Sequence, residues 1–557
     1  MPDSRRLQSN RDTAMTHSIQ QKKGSRFVFP ALVALLFVVA AGLRLYGIGH
    51  EGFWTDEVFS VRFSDGGVGE VLEDNARDVH PPLYYLGLHF WRGLLGDSDA
   101  RIRAWSTVWS LIGLLALFLL ARDMAGRRVA AIALLLGAVN PQDIYFAQEA
   151  RMYSQAAALC LLAAWCLWRW MARAREDAFL RAWAGWAVGY TLCAAGAILT
   201  HYVSATALLA QGTFALIVFA RKGRRRALAG YLVSAVGVVL LFLPWYFYVN
   251  HVRGALYSET LGWIRGPSLL SCVSFLGREF FWGNVWTAHN VWWPLTLWLA
   301  VTILGVCLLH AWESRSPASS RKKDAVQPRG IAYAAWLLAG PVLFAAVVSV
   351  LYHPVYHRSR FALFVLPPFL ILAGIACDAL RGRVLPWLAA CALGGVMLAG
   401  TIVQHRTEQK TDWGSFAAVW RAQGPPAATV FFPWYFDRAA SHAVGEPLHS
   451  AGRDRLEPLL PFLGGSEIWI CSMAGYEYER DGGDGDYHRW LTGLGPVRSV
   501  SLPTNLELQI VTIAGSPVPA AYRDRFDRWH APLDQAGRID GFDDPARFHA
   551  LEFDAGG

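Results

Sequence analysis

An apolar stretch of about twenty residues, the length a helix needs to cross a lipid core of ~30 Å, recurs eleven times in the first 403 residues. The stretches run near 27–47, 101–122, 128–147, 152–171, 182–200, 203–220, 227–248, 290–311, 331–352, 360–380 and 384–403. In lipid every backbone N–H and C=O has to find its partner inside the protein, so spans of this composition are helices. Of 557 residues 54% are apolar and 17% charged, a balance that excludes an ordinary soluble protein. The chain reads as a polytopic α-helical membrane protein.

The connections alternate in character. Those at 122–128, 169–181, 221–226, 311–330 and 381–383 are basic and include RKGRRR and SSRKKD. Basic residues in short loops set topology, so these loops are expected on the cytoplasmic side of the inner (plasma) membrane and the others outside. The net charge of +8 is thereby accounted for without a nucleic-acid partner. The segment PPLYYLGLHFWRGLLG (81–96) is too short to span. If it did, every later loop would invert, so it reads as an amphipathic helix on the outer surface, opened by Pro81-Pro82. Residues 268–284 read the same way. The N-terminus then lies inside and the C-terminus outside. The basic residues 1–26 form a cytoplasmic tail, and the run behind them is an uncleaved anchor rather than a signal peptide.

Residues 27–403 thus form a transmembrane domain, and composition changes beyond 404. Acids, Gly and Pro appear, and the short runs ATVFF (428–432), EIWIC (467–471), VRSVSL (497–502) and LELQIVTI (506–513) alternate with helix-like stretches near 413–422 and 486–494. Residues 404–557 are therefore expected to form a small extracytoplasmic α/β domain. Six of the eight cysteines fall in apolar spans and none has CxxC spacing, which signals neither zinc nor redox chemistry.

Polar clusters gather in the outward connections. Asp56 and Glu57 in FWTDEVFS suit a general base, or equally an N-terminal helix cap. Asp78 and His80 in DVHPPLYY suit hydrogen bonding to sugar hydroxyls or orientation of a base. Tyr84 and Tyr85 suit either a sugar face or, more readily, interfacial packing. Glu149, Arg151 and Tyr153 in AQEARMYS form either a structural ion pair and its neighbour or a polar cavity wall with Arg151 facing phosphate. His201 and Tyr202 in THYVS and His353, His357, Arg358 and Arg360 in HPVYHRSRF sit at outer helix ends. Arginine outside runs against the topology rule; its planar fork suits a phosphate, while snorkelling to lipid headgroups is the plainer use. There is no nucleotide-binding loop, no HExxH and no nucleophile elbow, so a reaction here needs a donor that carries its own activation.

The motifs RLYGIGHEGFWTDEVFS, DVHPPLYY, GDSDARIRAWS, NPQDIYFAQEARMYS, THY, FLPWYF, RSRFALFVLPP and TDWGSFAAVW, in that order, resemble the bacterial dolichyl-phosphate-mannose–protein mannosyltransferase-like glycosyltransferases, family 39 of the GT-C superfamily. The resemblance covers roughly 40–420. Thr55 stands where an apolar residue is usual, and Phe361 where Tyr is common. The resemblance implies a GT-C fold, a polyprenyl-phosphate-linked sugar donor and an extracytoplasmic lipid, glycan or protein acceptor. It implies Asp56 as catalytic base, and two surface helices near 56–76 and 81–96. The expected chemistry is an inverting transfer that requires no cofactor; a divalent metal held by paired acids is the less favoured arrangement. A flippase for a lipid-linked sugar is the rival reading, and internal repeats and midplane polar helices would mark it.

Overall fold

The computed structural model describes residues 28–515, with breaks of which the longest are 254–267, 284–291, 314–327 and 474–482. The basic tail and the last forty or so residues lie outside the described residues. The chain divides into two compact units, one comprising 1–46, 104–242 and 261–404, the other 47–103, 243–260 and 405–557.

The first unit is a helix bundle. Each apolar stretch of the sequence becomes helical, at 128–147 as a broken pair, but they are not equal. Eight helices among the described residues are long and apolar enough to cross a membrane, from Val28–Leu45 to Leu385–Arg406. Arg127–Ala138 and Pro141–Ala147 are bent by 61° at a break, and the pair counts as a ninth span if taken together. Ala184–Thr200 and Ser204–Phe219 have 17 and 16 residues, about 25 Å of helix each. Eleven full-length spans is therefore more than length and composition alone support, because Pro141 interrupts one and two fall short. Segment 268–284 also departs from expectation. It folds as two single turns, Ser271–Ser274 and Glu279–Trp282, and buries Phe280 and Phe281 against Phe369. Among its described residues no exposed amphipathic helix forms.

The break at 139–140 explains a charge inside a span. A helix that stops within the bundle leaves its last carbonyls without partners, and in an apolar surrounding each such group is costly. Arg44, fully buried in the first unit, donates to Gly137 O at 3.0 Å and Ala138 O at 3.1 Å. Its remaining donors go to Ala40 O (3.0 Å), Ser110 Oγ (2.7 Å) and Asp143 Oδ2 (2.5 Å). All five guanidinium hydrogens are used. Asn140 starts the second helix by accepting from the Asp143 N–H, and Pro141 at the first helical position needs no donor.

In the second unit the connection after the first apolar helix carries three helices, Thr55–Arg62, Val68–Arg77 and Leu83–Leu95. The helix expected over 56–76 is split in two by a turn in which Gly66 takes φ +76°, a conformation glycine adopts without steric cost. The third helix matches the surface helix expected at 81–96. It buries Tyr84, Tyr85 and Leu88 and leaves Phe90 and Leu94 exposed. Tyr84 and Tyr85 meet edge to face at 5.5 Å, and Phe63 closes on Tyr85 at 5.7 Å. These tyrosines are core, not a sugar platform.

The rest of this unit is a four-stranded mixed sheet, β1 (Ala428–Phe432), β2 (Glu467–Met473), β3 (Val497–Ser501) and β4 (Leu506–Thr512), in the order β1-β2-β4-β3. β1 and β2 are parallel and the other pairs antiparallel. Because successive strand residues face opposite ways, Phe431, Trp469 and Cys471 pack with the helices Trp413–Gln423 and Phe436–Val444. Val430, Phe432, Ile468 and Ile470 pack on the other face with Leu456 and Leu491. Both faces of β1 and β2 are covered, which is why ATVFF and EIWIC read as nearly continuous apolar runs, whereas the edge strand β3 is largely exposed.

Arg44→Leu should cost roughly 3–5 kcal/mol, as expected when one partner of a buried ion pair is removed, since Asp143 and two helix-end carbonyls lose their donor. Arg44→Lys, with three donors instead of five, should recover only part of that. Thermal unfolding of the detergent-purified protein measures both.

Candidate active site

The two carboxylates of the DE pair stand side by side in sequence and in unlike surroundings. Both fall in the first turn of the Thr55–Arg62 helix, where the positive end of the helix dipole favours acids. Successive helix residues point about a hundred degrees apart, so only one can face the interior. Glu57 is fully buried and Asp56 is half-buried.

Glu57 is held by charge. Arg103 binds it through both oxygens, Nε to Oε1 at 2.8 Å and Nη2 to Oε2 at 2.7 Å. Lys410 Nζ reaches Oε1 at 2.9 Å, and the Trp54 N–H reaches Oε2 at 3.5 Å. Arg103 gives its other hydrogens to Ile48 O, Glu51 O and Gly52 O at 2.9, 2.6 and 2.9 Å and lies over the Phe53 ring at 4.9 Å. One guanidinium therefore fixes the loop leading into the helix and the carboxylate at its start. A planar fork does this; an ammonium does not. In this arrangement Glu57 is a structural anchor, and Asp56 is the member of the pair with access to solvent.

In the same unit His80 Nδ1 and Asp78 Oδ2 are 2.7 Å apart, with about a fifth of each side chain exposed. A carboxylate on one ring nitrogen orients the imidazole and favours one tautomer.

The first unit brings together three further residues singled out in the sequence. Arg360 lies over the Tyr153 ring at 5.5 Å, and His201 is tilted against Tyr153 at 5.6 Å. The Val203 N–H donates to His201 Nδ1 at 3.1 Å, which directs Nε2 outward from that turn. Tyr202 meets Phe242 edge to face at 6.2 Å. Glu149 and Arg151 are both buried at the elbow before the Tyr153–Arg173 helix, where Ser106 Oγ donates to Arg151 O at 3.2 Å. Arg358 opens the Arg358–Ala379 helix, while its side chain, and the whole of His353 and His357, lie outside the described residues. Among the described residues no three His, Cys, Asp or Glu side chains gather as metal ligands do.

Sequence reasoning passed over Arg44, Asp143, Arg103 and Lys410. Arg44 carried a signal, an arginine at the end of an apolar run. Arg103 lay inside the motif GDSDARIRAWS. Lys410 had none.

The fold is that of the GT-C membrane proteins. Among solved structures, ArnT from Cupriavidus metallidurans in the apo state aligns with TM-score 0.57 at 14% identity, covering 89% of this chain and all of that one. The same protein bound to undecaprenyl phosphate aligns with TM-score 0.55 at 16% identity, covering 88% of this chain and 99% of that one. No curated protein sequence matches the chain. Fold and composition together define a multi-pass membrane protein of GT-C architecture. Within that class, residues 79–248 match the family model described as Dolichyl-phosphate-mannose-protein mannosyltransferase.

One titratable group packs close to the DE helix. Asp437 is buried in the Phe436–Val444 helix, and burial raises its carboxyl to about 7, against the opposing pull of the Ser450 N–H and Arg62. The unfolded chain releases this proton near pH 4, so stability from Asp437 is fullest below pH 4. It declines as pH rises to about 7 and is flat above. Asp437→Asn should remove that decline. Its thermal midpoint should match wild type near pH 4 and exceed it by several degrees at pH 8.

Proposed function

We propose that the protein transfers a sugar from a polyprenyl-phosphate carrier to a hydroxyl of a lipid, glycan or protein acceptor. The reaction takes place at the extracytoplasmic face of the inner (plasma) membrane, with inversion and without a metal. The observation that carries this reading is the unequal state of the DE pair: Glu57 is fully buried and paired with Arg103 and Lys410, and Asp56, in the first turn of the same helix, is only half-buried. A base needs this exposure to meet an acceptor and this rigidity to meet it in one geometry. The carrier follows from the absence of any nucleotide-binding motif, and the fold shared with ArnT bound to undecaprenyl phosphate supports it.

In the step itself Asp56 takes the acceptor proton while the acceptor oxygen bonds to the anomeric carbon. The bond from that carbon to the phosphate oxygen breaks, and its electron pair leaves with the polyprenyl phosphate. That leaving group is already anionic and needs donors, not a proton. Arg360, beside Tyr153 and His201, supplies charge-assisted hydrogen bonds of the kind that dominate such catalysis. Arg358, His357, Arg151 and Tyr202 are assigned to the same phosphate end. Asp78, His80 and Glu149 are assigned to sugar and acceptor. Both groups share one side of the membrane by the charge of the loops.

Replacing Asp56 with Asn keeps the shape and removes the base, so turnover should fall ~10²–10⁴-fold with little change in thermal midpoint. Envelope glycans from a knockout complemented with wild type or Asp56→Asn, compared by mass spectrometry, give the readout. Full complementation by Asp56→Asn would remove Asp56 from the mechanism. Activity that disappears in EDTA and returns with magnesium or manganese would remove the metal-free step.

A further inference from the structure

The C-terminal domain grips the helix that carries Asp56, and it does so at two places. Lys410, which lies between the last apolar helix (Leu385–Arg406) and the Trp413–Gln423 helix, is itself buried and sets Nζ on Glu57 Oε1. Along the other side, Val58 joins the core formed by Trp413, Phe416 and Trp469. Phe59 rests near Tyr435 at 6.4 Å and under the Arg438 guanidinium at 5.7 Å. Phe53, just ahead of the helix, stacks on His442 at 5.3 Å. The Thr55–Arg62 helix has eight residues, too few to hold its shape alone in water. Its position therefore comes from what it packs against, and most of that is residues 410–442.

From this geometry we infer that Lys410 is a positioning residue for the transfer reaction, and that the C-terminal domain acts through it and the Phe436–Val444 helix to fix Asp56. The inference rests on Asp56 being the base. Lys410 does not touch substrate. It acts by matching the Glu57 charge together with Arg103, both donating to Oε1, so that the first turn of the helix has one stable placement. A buried carboxylate with one cation withdrawn draws in water or turns outward, and Asp56, one residue before it, moves with the same turn. The domain thus contributes to the rate even for an acceptor that never contacts it.

Hydrogen exchange on the full-length protein in detergent tests the tie without any substrate. In Lys410→Met and the milder Lys410→Gln, amides of residues 55–62 should exchange at least ten times faster than in wild type, while those of β2 stay protected. Lys410→Arg should restore the slow exchange. In the knockout, Lys410→Met and Lys410→Gln, present at wild-type levels, should leave the glycan product reduced at least tenfold, and Lys410→Arg should return most of it. Unchanged exchange over 55–62 in Lys410→Gln, or full product from it, overturns the inference. If wild type itself alters no envelope glycan, the transferase reading fails, and the exchange experiment still decides whether Lys410 holds this helix.

Discussion

A carboxylate with no surface in water has to be matched by charge and hydrogen bonds at fixed distances, or it forces the chain around it open. Glu57 is such a group, and its two cations come from far apart in sequence. Arg103 opens a long apolar helix and Lys410 follows the last one. The loop at 48–52, the Thr55–Arg62 helix and the segment entering the C-terminal domain converge because they answer to one buried charge. The neighbouring Asp56 inherits a fixed position from that convergence while remaining only half-buried. Two adjacent acids thus sit in unlike surroundings, one fully buried and one half-buried.

A parallel solution occurs in the bundle. There the interruption at Pro141 leaves carbonyls that lipid cannot satisfy, and Arg44 satisfies them while pairing with Asp143. In both places an arginine spends all five of its hydrogens, on backbone carbonyls as well as on a carboxylate. Such groups are costly to bury and specific once buried. Each ties together segments that apolar packing alone would leave free to slide.

How far the sequence carries depends on which physical signal each feature leaves in it. Apolar runs announce the helices, because burial in lipid demands them at every position. The four strands were legible at 428–432, 467–471, 497–502 and 506–513, and the structure has them at those places to within two residues, since the two strands buried on both faces leave short apolar runs and the other two leave alternating ones. The break at Asn140-Pro141 lay in a stretch apolar enough to pass as one span. Tyr84 and Tyr85 illustrate the limit for side chains: an aromatic pair reads alike whether it faces a sugar or the core, and here it faces the core. Glu57 illustrates it more sharply. The DE string marks the site, but which acid is buried follows from helix phase and from Lys410, more than 350 residues away, and no local pattern encodes that. Tyr153, His201 and Arg360 could be nominated from loops expected to face outward, because arginine there defies the usual charge distribution.

The most direct test of the central claim is the stereochemistry of the transferred sugar. Attack by an acceptor hydroxyl deprotonated at Asp56 is a single displacement, so the product linkage should carry the anomeric configuration opposite to that of the carrier-linked donor. NMR of the purified product against the donor reads this directly. Retention of configuration, or movement of the sugar across the membrane with no new glycosidic bond, would contradict it.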